Sequence, residues 1–368
     1  MPGKMPKNCW KTQTNIFNPP TPRVFPAEEK HPMKSRFHRI AALLCLVLLW
    51  PALAPALTLK IATLSPEGSM WMSKMRQGAK DVAKETDNRV KFKFYPGGVM
   101  GNDKAVLRKI RVGQLHGGAV VGGSLSDFFP ANQIYAQPMK FSNIEEVDYV
   151  REHLDQFILD GLNEAGFVTF GLTGGGFAYI MSQEPITTVD DLRKRKVWIP
   201  DNDKISQESV AVFGVSPIPL PLADVRTALQ SGLIDTVATS PIGAVILQWH
   251  TQIKYVTNIP LIYLHAVLAI DKKKFNRISK ADQAVVSRIM TRAFKEIDAQ
   301  NRADDLKAVD ALKKRGIQFI DPQGQDREVW ISTAARASQK MISAGVLPKD
   351  VVETMDRLLD EFHAKETP

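Results

Sequence analysis

The stretch KVWIPDNDKISQESVAVFGVSPIPLPLADVRTALQSGLIDTVA, residues 196–238, decides how the chain folds. Lys196 to Ile199 is a short apolar strand after a Thr188-to-Asp191 helix-cap segment. Ser206 to Phe213 has helical character and stops at Gly214, and Val215 to Ile218 is apolar again. A helix from about Ala223 to Ser231 ends at Gly232, and Ile234 to Ala238 closes the series as a third strand. Strand, helix, strand, helix, strand is the signature of an α/β protein, with a mostly parallel sheet as the first expectation.

The same alternation precedes it. Leu57 to Ala62 is a strand, a helix runs from about Ser69 to Asn88, and Val90, Phe92 and Phe94 alternate with lysines. Asn102 caps a helix ending near Gly113, and Gly118 to Val121 is a small buried strand. Ser142 and Glu145 have capping-box spacing ahead of a helix that ends at Gly166. Phe167 to Leu172 is a strand, Gly174-Gly175-Gly176 a flexible joint, and Ala178 to Ser182 a strand again. Downstream, Leu261 to Ile270 is a long apolar strand, and Lys280 to Arg315 reads as one helix stopped by Gly316. About 36 residues at 1.5 Å each make a rod of about 50 Å, long enough to brace two domains. Helices over 326–343 and 348–364 finish the chain.

Composition narrows the function. The chain has 368 residues, 44% hydrophobic and 24% charged, which excludes collagen-like, coiled-coil and wholly disordered classes and points to about two domains. The formal charge is +9, but eight Lys/Arg against two acids fall before residue 57, so the remainder is nearly neutral and no nucleic-acid partner is expected. Both cysteines, Cys9 and Cys45, also precede residue 57, which removes thiolate zinc sites, cysteine nucleophiles and disulfides from the rest. Residues 1–32 carry seven prolines and read as a disordered leader or as sequence upstream of a start at Met33. From Met33, Lys34, Arg36 and Arg39 precede an apolar run from Ile40 to Trp50, then A-x-A sites ending at Ala54 and Ala56: a signal peptide over 33–56, cleaved near either alanine, and a periplasmic product. The competing reading, a membrane anchor, wants about 20 apolar residues, and Pro51 and Pro55 interrupt this run.

No catalytic or cofactor pattern stands out. The glycine clusters match neither a phosphate loop nor a dinucleotide fingerprint, there is no G-x-S-x-G elbow, and the histidines lack metal-binding spacing. The expectation is no catalysis, no cofactor and no metal. In open α/β sheets ligands sit beyond the carboxyl ends of strands. Those ends carry Ser65–Ser69, Gly122–Ser124, Gly174–Phe177, Trp198–Asn202 and Thr239–Pro241.

Four stretches then carry a family resemblance. They are Leu59-Lys60-Ile61-Ala62-Thr63 with its Ser-Pro turn; Pro96-Gly97-Gly98-Val99-Met100-Gly101; Val189-Asp190-Asp191-Leu192-Arg193 running to Val197-Trp198-Ile199-Pro200; and Leu222-Ala223-Asp224-Val225 through Gly232 to Ile234-Asp235. In this order and spacing the chain resembles the TRAP-transporter solute-binding proteins of the DctP type, over nearly all of 57–368. The resemblance implies a periplasmic-binding-protein-like fold of two α/β domains with a hinge and a long bracing helix. It divides the chain into 57–177 with 266–300 and 178–265 with 301–368. It implies capture of a small organic molecule in the interdomain cleft and delivery to membrane permease subunits. A ligand-sensing subunit for a membrane receptor and an exported α/β enzyme are the alternatives.

The family usually clamps an organic acid with an Arg two residues before the Pro of the strand motif; here that residue is Trp198, and after Gly176-Phe177 stands Ala178 instead of a second Arg. Indole has one donor and a stacking face, not a carboxylate fork. The expected ligand is therefore aromatic, cationic or less dependent on a carboxylate. The expected ligand contacts are Ser65, Glu67, Ser69, Gly122, Gly123, Ser124, Phe177, Trp198, Thr239 and Ser240. Gly122, Gly123 and Ser124 are expected to form the cleft wall through backbone donors; others have a plainer reading. Ser65 and Ser69 are turn and cap residues, Glu67 favours a helix start, Phe177 packs the joint, and Trp198 fills a core. Thr239 and Ser240 follow a stretch one residue longer than the family pattern, and Trp249 reads as core.

Overall fold

The computed structural model describes residues 56–201 and 203–366, together with 20, 21 and 23, which are exposed and irregular. Most of the expected leader, and the expected signal segment up to Pro55, lie outside the described residues. The fold below is that of the compact unit 55–368.

The first strand, β1 (Leu57–Thr63), feeds α1 (Met70–Glu85), capped where Ser69 Oγ accepts from Met72 N at 3.2 Å. The next pair is β2 (Val90–Tyr95) and α2 (Asp103–Arg111), whose cap is Asn102. After β3 (Gly117–Val121) comes α3 (Ile144–Glu164). Its cap is one residue later than the sequence spacing implied. Asn143 Oδ1 accepts from Glu146 N at 2.8 Å, and the Glu146 carboxylate reaches back to Ser142 N at 2.7 Å. The expected single strand from Phe167 divides into β4 (Phe167–Val168) and β5 (Leu172–Ser182), because Gly171 turns the chain at φ 124°. Then follow α4 (Val189–Arg193), β6 (Trp198–Pro200), α5 (Lys204–Val212), β7 (Ile218–Leu220), α6 (Val225–Ser231), β8 (Thr236–Thr239) and α7 (Pro241–Ile246). The 17-residue β9 (Tyr255–Asp271) leads through α8 (Lys272–Phe275) to the 35-residue α9 (Lys280–Lys314). The chain ends with β10 (Gln318–Ile320), α10 (Gly324–Ser343) and α11 (Lys349–Glu366).

The main sheet runs β2-β1-β3-β9-β5-β8, with β4 and β10 also on β9. The sheet is mixed. The β1–β2, β1–β3 and β9–β10 pairs are parallel, whereas β3, β4 and β5 all pair antiparallel with β9, and β5 with β8. The expectation of a mostly parallel sheet fails for a topological reason: β5 leaves the first lobe where β9 returns to it, so the two run oppositely. β9 begins six residues earlier than its apolar run because Pro260 sits where the β5–β9 register shifts, and a proline without an N–H is accommodated there.

Side-chain alternation divides the core. In β9, Val267 and Ala269 face one cluster with Val106, Ile134 and Val150, while Leu268 and Ile270 face another with Leu59, Met72 and Met290. Further along the same sheet, Met181 and Val256 face a third cluster around Trp198, Val237 and Trp249. Ile180 and Ile259 face a fourth around Phe213 and Trp330. The first two clusters make one lobe and the last two the other. The long helix belongs to both: Ile289, Met290 and Phe294 enter the second cluster, Leu312 the third. The final helix differs from the expected division, which put 301–368 in the second lobe. Val351, Met355 and Leu358 of α11 pack in the first lobe's cluster, while Trp330 and Ala334 of α10 stay in the second lobe.

Where β5 crosses between lobes, α9 binds both backbone polar groups of a single residue. Asp298 Oδ1 accepts from Gly174 N at 2.5 Å, and Asn301 Nδ2 donates to Gly174 O at 2.9 Å. Asp298 also receives Arg151 at 3.1 Å, and the same guanidinium binds Asp155 and Leu172 O. A Cβ on residue 174 would lie 2.0 Å from the Tyr263 hydroxyl, so only glycine fits. Replacing Asp298 by Ala removes the acceptor for Gly174 N and leaves a mostly buried Arg151 short of one partner. Chemical denaturation should show a loss of about 2–4 kcal/mol, against about 1 kcal/mol for Asn301→Ala.

Candidate ligand-binding cleft

Between the lobes lies a cavity of about 1470 Å³, larger than the roughly 300–1,000 Å³ of a typical small-molecule pocket. Its first-lobe wall is built from the loop after β1, one face of α2, and the turn after β3. Its second-lobe wall is β6, the end of β8 and α7, and the middle of β9 forms the floor between.

Nine of the ten expected contact residues line this cavity: Ser65, Glu67, Ser69, Gly122, Gly123 and Ser124 from one side, Trp198, Thr239 and Ser240 from the other. Phe177 does not. The bulge between Gly174 and Gly176 shifts the facing of β5, and Phe177 turns into the first lobe's core, edge-to-face on Tyr263 at 5.5 Å. Several lining groups are already engaged. The Glu67 carboxylate is held in a bidentate pair by Arg76 at 2.8 and 2.5 Å, and that hydrogen bonding keeps its carboxyl below the usual range. The Ser69 and Ser240 hydroxyls cap α1 and α7, the latter accepting from Gly243 N at 3.3 Å.

Trp198 combines both of its sequence readings. Its ring belongs to the third core cluster, stands edge-to-face on Trp249 at 5.2 Å, and also forms part of the cavity wall. Its indole N–H donates to Leu220 O at 3.0 Å, so what remains for a ligand is ring surface, not a donor. Trp249 is core, as expected, and reaches the wall as well.

Three further features shape the wall, and the first two have no local sequence signal. Asp103, the first residue of α2, accepts from Val121 N at 3.0 Å and from Ser124 Oγ at 2.9 Å. Burial pushes its carboxyl up to about 6, against the lowering effect of these two bonds; the nearby Asp201 charge adds to the rise. His265 on β9 lies under Gly122, where a Cβ would come within 2.1 Å of Nε2. Burial first, then the Arg151 charge, pushes His265 down to about 3, so the imidazole is neutral. Asn132 donates to Gly122 O at 2.5 Å, and its Oδ1 faces His265 Nε2 at 3.4 Å, which places the ring hydrogen on Nε2. No sequence pattern joins Asn132 to His265; the sheet does. The third feature, Lys104, Arg108 and Arg111 at i, i+4 and i+7 of α2, was legible as one helix face turned to the cavity. Arg108 and Arg111 have no carboxylate within ion-pair distance among the described residues.

Residues 61–344 match the family described as bacterial extracellular solute-binding protein, family 7, DctP. The chain belongs to this family. Such proteins are solute-binding receptors, and the two-lobed α/β architecture with its cleft is the one their structures share. The C4-dicarboxylate-binding periplasmic protein DctP of Rhodobacter capsulatus is 22% identical over 300 residues, 79% of this chain and 88% of that protein. An uncharacterized protein of Salmonella typhimurium is 25% identical over 199 residues, 52% of this chain and 61% of its own length. A TRAP periplasmic solute-binding protein of Desulfovibrio salexigens, crystallised with orotic acid, has the same fold at a TM-score of 0.74 and 19% identity, covering 83% of this chain and 99% of that one.

The raised Asp103 carboxyl has a measurable consequence for this solute-binding protein. A carboxyl that titrates near 6 when folded, against about 4 unfolded, adds stability at pH 4 that is lost as pH climbs through 6. At ~1.4 kcal/mol per pH unit the loss is about 3 kcal/mol. Asn in place of Asp103 accepts both hydrogen bonds without a charge. In calorimetry at a series of pH values, Asp103→Asn should melt with the parent protein at pH 4 and above it at pH 7.5; parallel curves would show that Asp103 does not titrate in this range.

Proposed function

We propose that this protein captures a small organic acid outside the cytoplasm and hands it to a TRAP-type permease. The observation that carries the proposal is the cavity enclosed by two lobes that share the crossing strands β5 and β9 and the brace helix α9, in a chain of the solute-binding family. Elements that cross between lobes can flex while each lobe keeps its own core, so a ligand touching both walls shifts the population toward a closed form. We assign 57–177, 266–300 and 349–366 to the first lobe and 178–265 with 301–343 to the second, which moves α11 from its expected place. A periplasmic location is supported by the basic, apolar and A-x-A pattern of residues 33–56 and by the periplasmic relatives. Among the described residues no helix is long and apolar enough to cross a membrane.

The ligand chemistry follows from the walls. The R. capsulatus relative is named for C4-dicarboxylates and the D. salexigens relative holds orotic acid, a planar carboxylate. With Trp198 in place of the clamping Arg, and with Arg108 and Arg111 on the opposite wall, the fitting ligand is an acid with a flat or apolar body. The body lies on the Trp198 ring, and the acid group faces the α2 guanidinium groups and the backbone donors of Gly122–Ser124.

Thermal melting of the full chain against orotate, C4-dicarboxylates, sugar acids and aromatic amines tests this. A ligand at a hundredfold excess over its Kd stabilises by about 2.7 kcal/mol, and planar acids should give the largest shift. Calorimetric titration of Trp198→Ala should then weaken the planar acid up to roughly tenfold and change an aliphatic dicarboxylate little. Amines that bind while every acid fails would overturn the assignment.

A further inference from the structure

Among the described residues, Asn102 and Asp201 join the two walls directly. Asn102, half-buried, caps α2 through Oδ1, which accepts from Ala105 N at 3.0 Å. Its Nδ2 donates at 2.7 Å to Asp201 Oδ2. Asn102 stands at the head of a helix packed in the first lobe, and Asp201 directly follows Pro200 at the end of β6, the strand that carries Trp198 in the second. Both residues line the cavity.

We propose that Asn102 and Asp201 form the latch that holds the lobes together across the cleft and so sets how tightly a ligand is retained. Three features fit them for it. The cap fixes the Asn102 amide, so its donor is aimed across the cleft without ordering a free side chain. The acceptor is a carboxylate, which makes the bond stronger than a neutral one and sensitive to the donor's identity. The latch also pulls on the β6 end, so its closing brings the Trp198 wall toward the α2 wall. Asp103 stands behind the contact with its own carboxylate held by Val121 N and Ser124 Oγ, and Asp203 beyond it is occupied in capping α5 through Ser206 N and Oγ. Asn102 thus supplies the donor through which Asp201 is held against the α2 wall.

The test needs no ligand, so it stands apart from the choice of organic acid. In the full chain carrying Cys9→Ser and Cys45→Ser, spin labels at the exposed Val112 and Leu233, one on each lobe, report the interlobe distance by pulsed electron resonance. The unliganded parent should show a closed population. Asn102→Asp keeps the α2 cap but turns the donor into a second carboxylate, and Asp201→Ala deletes the acceptor. Each should lower the closed-to-open ratio roughly tenfold. The exchange Asn102→Asp with Asp201→Asn reverses donor and acceptor and should return the ratio to near the parent value, which a purely structural role for either residue does not predict. A parent without the closed distance, single variants with unchanged distributions, or an exchanged pair as open as Asn102→Asp alone would each overturn the latch.

Discussion

The antiparallel pairing of β5 with β9 is the constraint on which everything else rests. It runs from Leu172 opposite Val267 to Ser182 opposite Tyr255, with two register shifts on the way. A ladder of this length ties the cores of both lobes to one sheet, because successive stretches of the same strands serve different clusters. The shifts relieve the ladder where the lobes meet. At the first of them Gly175 has no partner in the register, and the brace helix binds the neighbouring Gly174 N–H and C=O through Asp298 and Asn301. The joint between the lobes is therefore defined in hydrogen bonds, even though it is written in glycines.

The cleft wall engages several of its polar groups within the protein. Glu67 is matched by Arg76, and His265 is held neutral beneath Gly122. Behind the wall, Asp305 on the brace helix accepts from Ile242 N at 3.0 Å, and burial pushes it up to about 6. Arg108 and Arg111 of α2, exposed and without a carboxylate at ion-pair distance among the described residues, face an entering acid. Charge at a rim acts on encounter more than on residence, whereas the ring of Trp198 and closure of the lobes act on residence.

Much of this was legible in residue order. The alternation of strands and helices, the brace helix to within a residue of its end, and most of the cavity wall follow from periodicity, caps and strand ends. What was hidden depends on register and on distant partners. Phe177 leaves the wall because a bulge in β5 shifts its facing, and a run of three glycines does not say where the bulge falls. The antiparallel centre of the sheet was missed because short β-α-β units suggest parallel strands, and only the long return of β9 reverses them. Asp103 and His265 acquire their character from burial by residues far along the chain. The cap of α3 moved by one position because Asn143 competes with Ser142 for the same role and has the better partner in Glu146.

The placement of α11 bears on how the chain is assembled during synthesis. In the division proposed above the second lobe lies within the first in chain order, and Val351, Met355 and Leu358 of α11 pack into the first lobe's core. This core cannot close before those residues are available, whereas the last strand of the sheet, β10, comes earlier in the chain. Closure of this core is thus a long-range event, joining residues of β3, α2 and α11 that lie far apart in sequence.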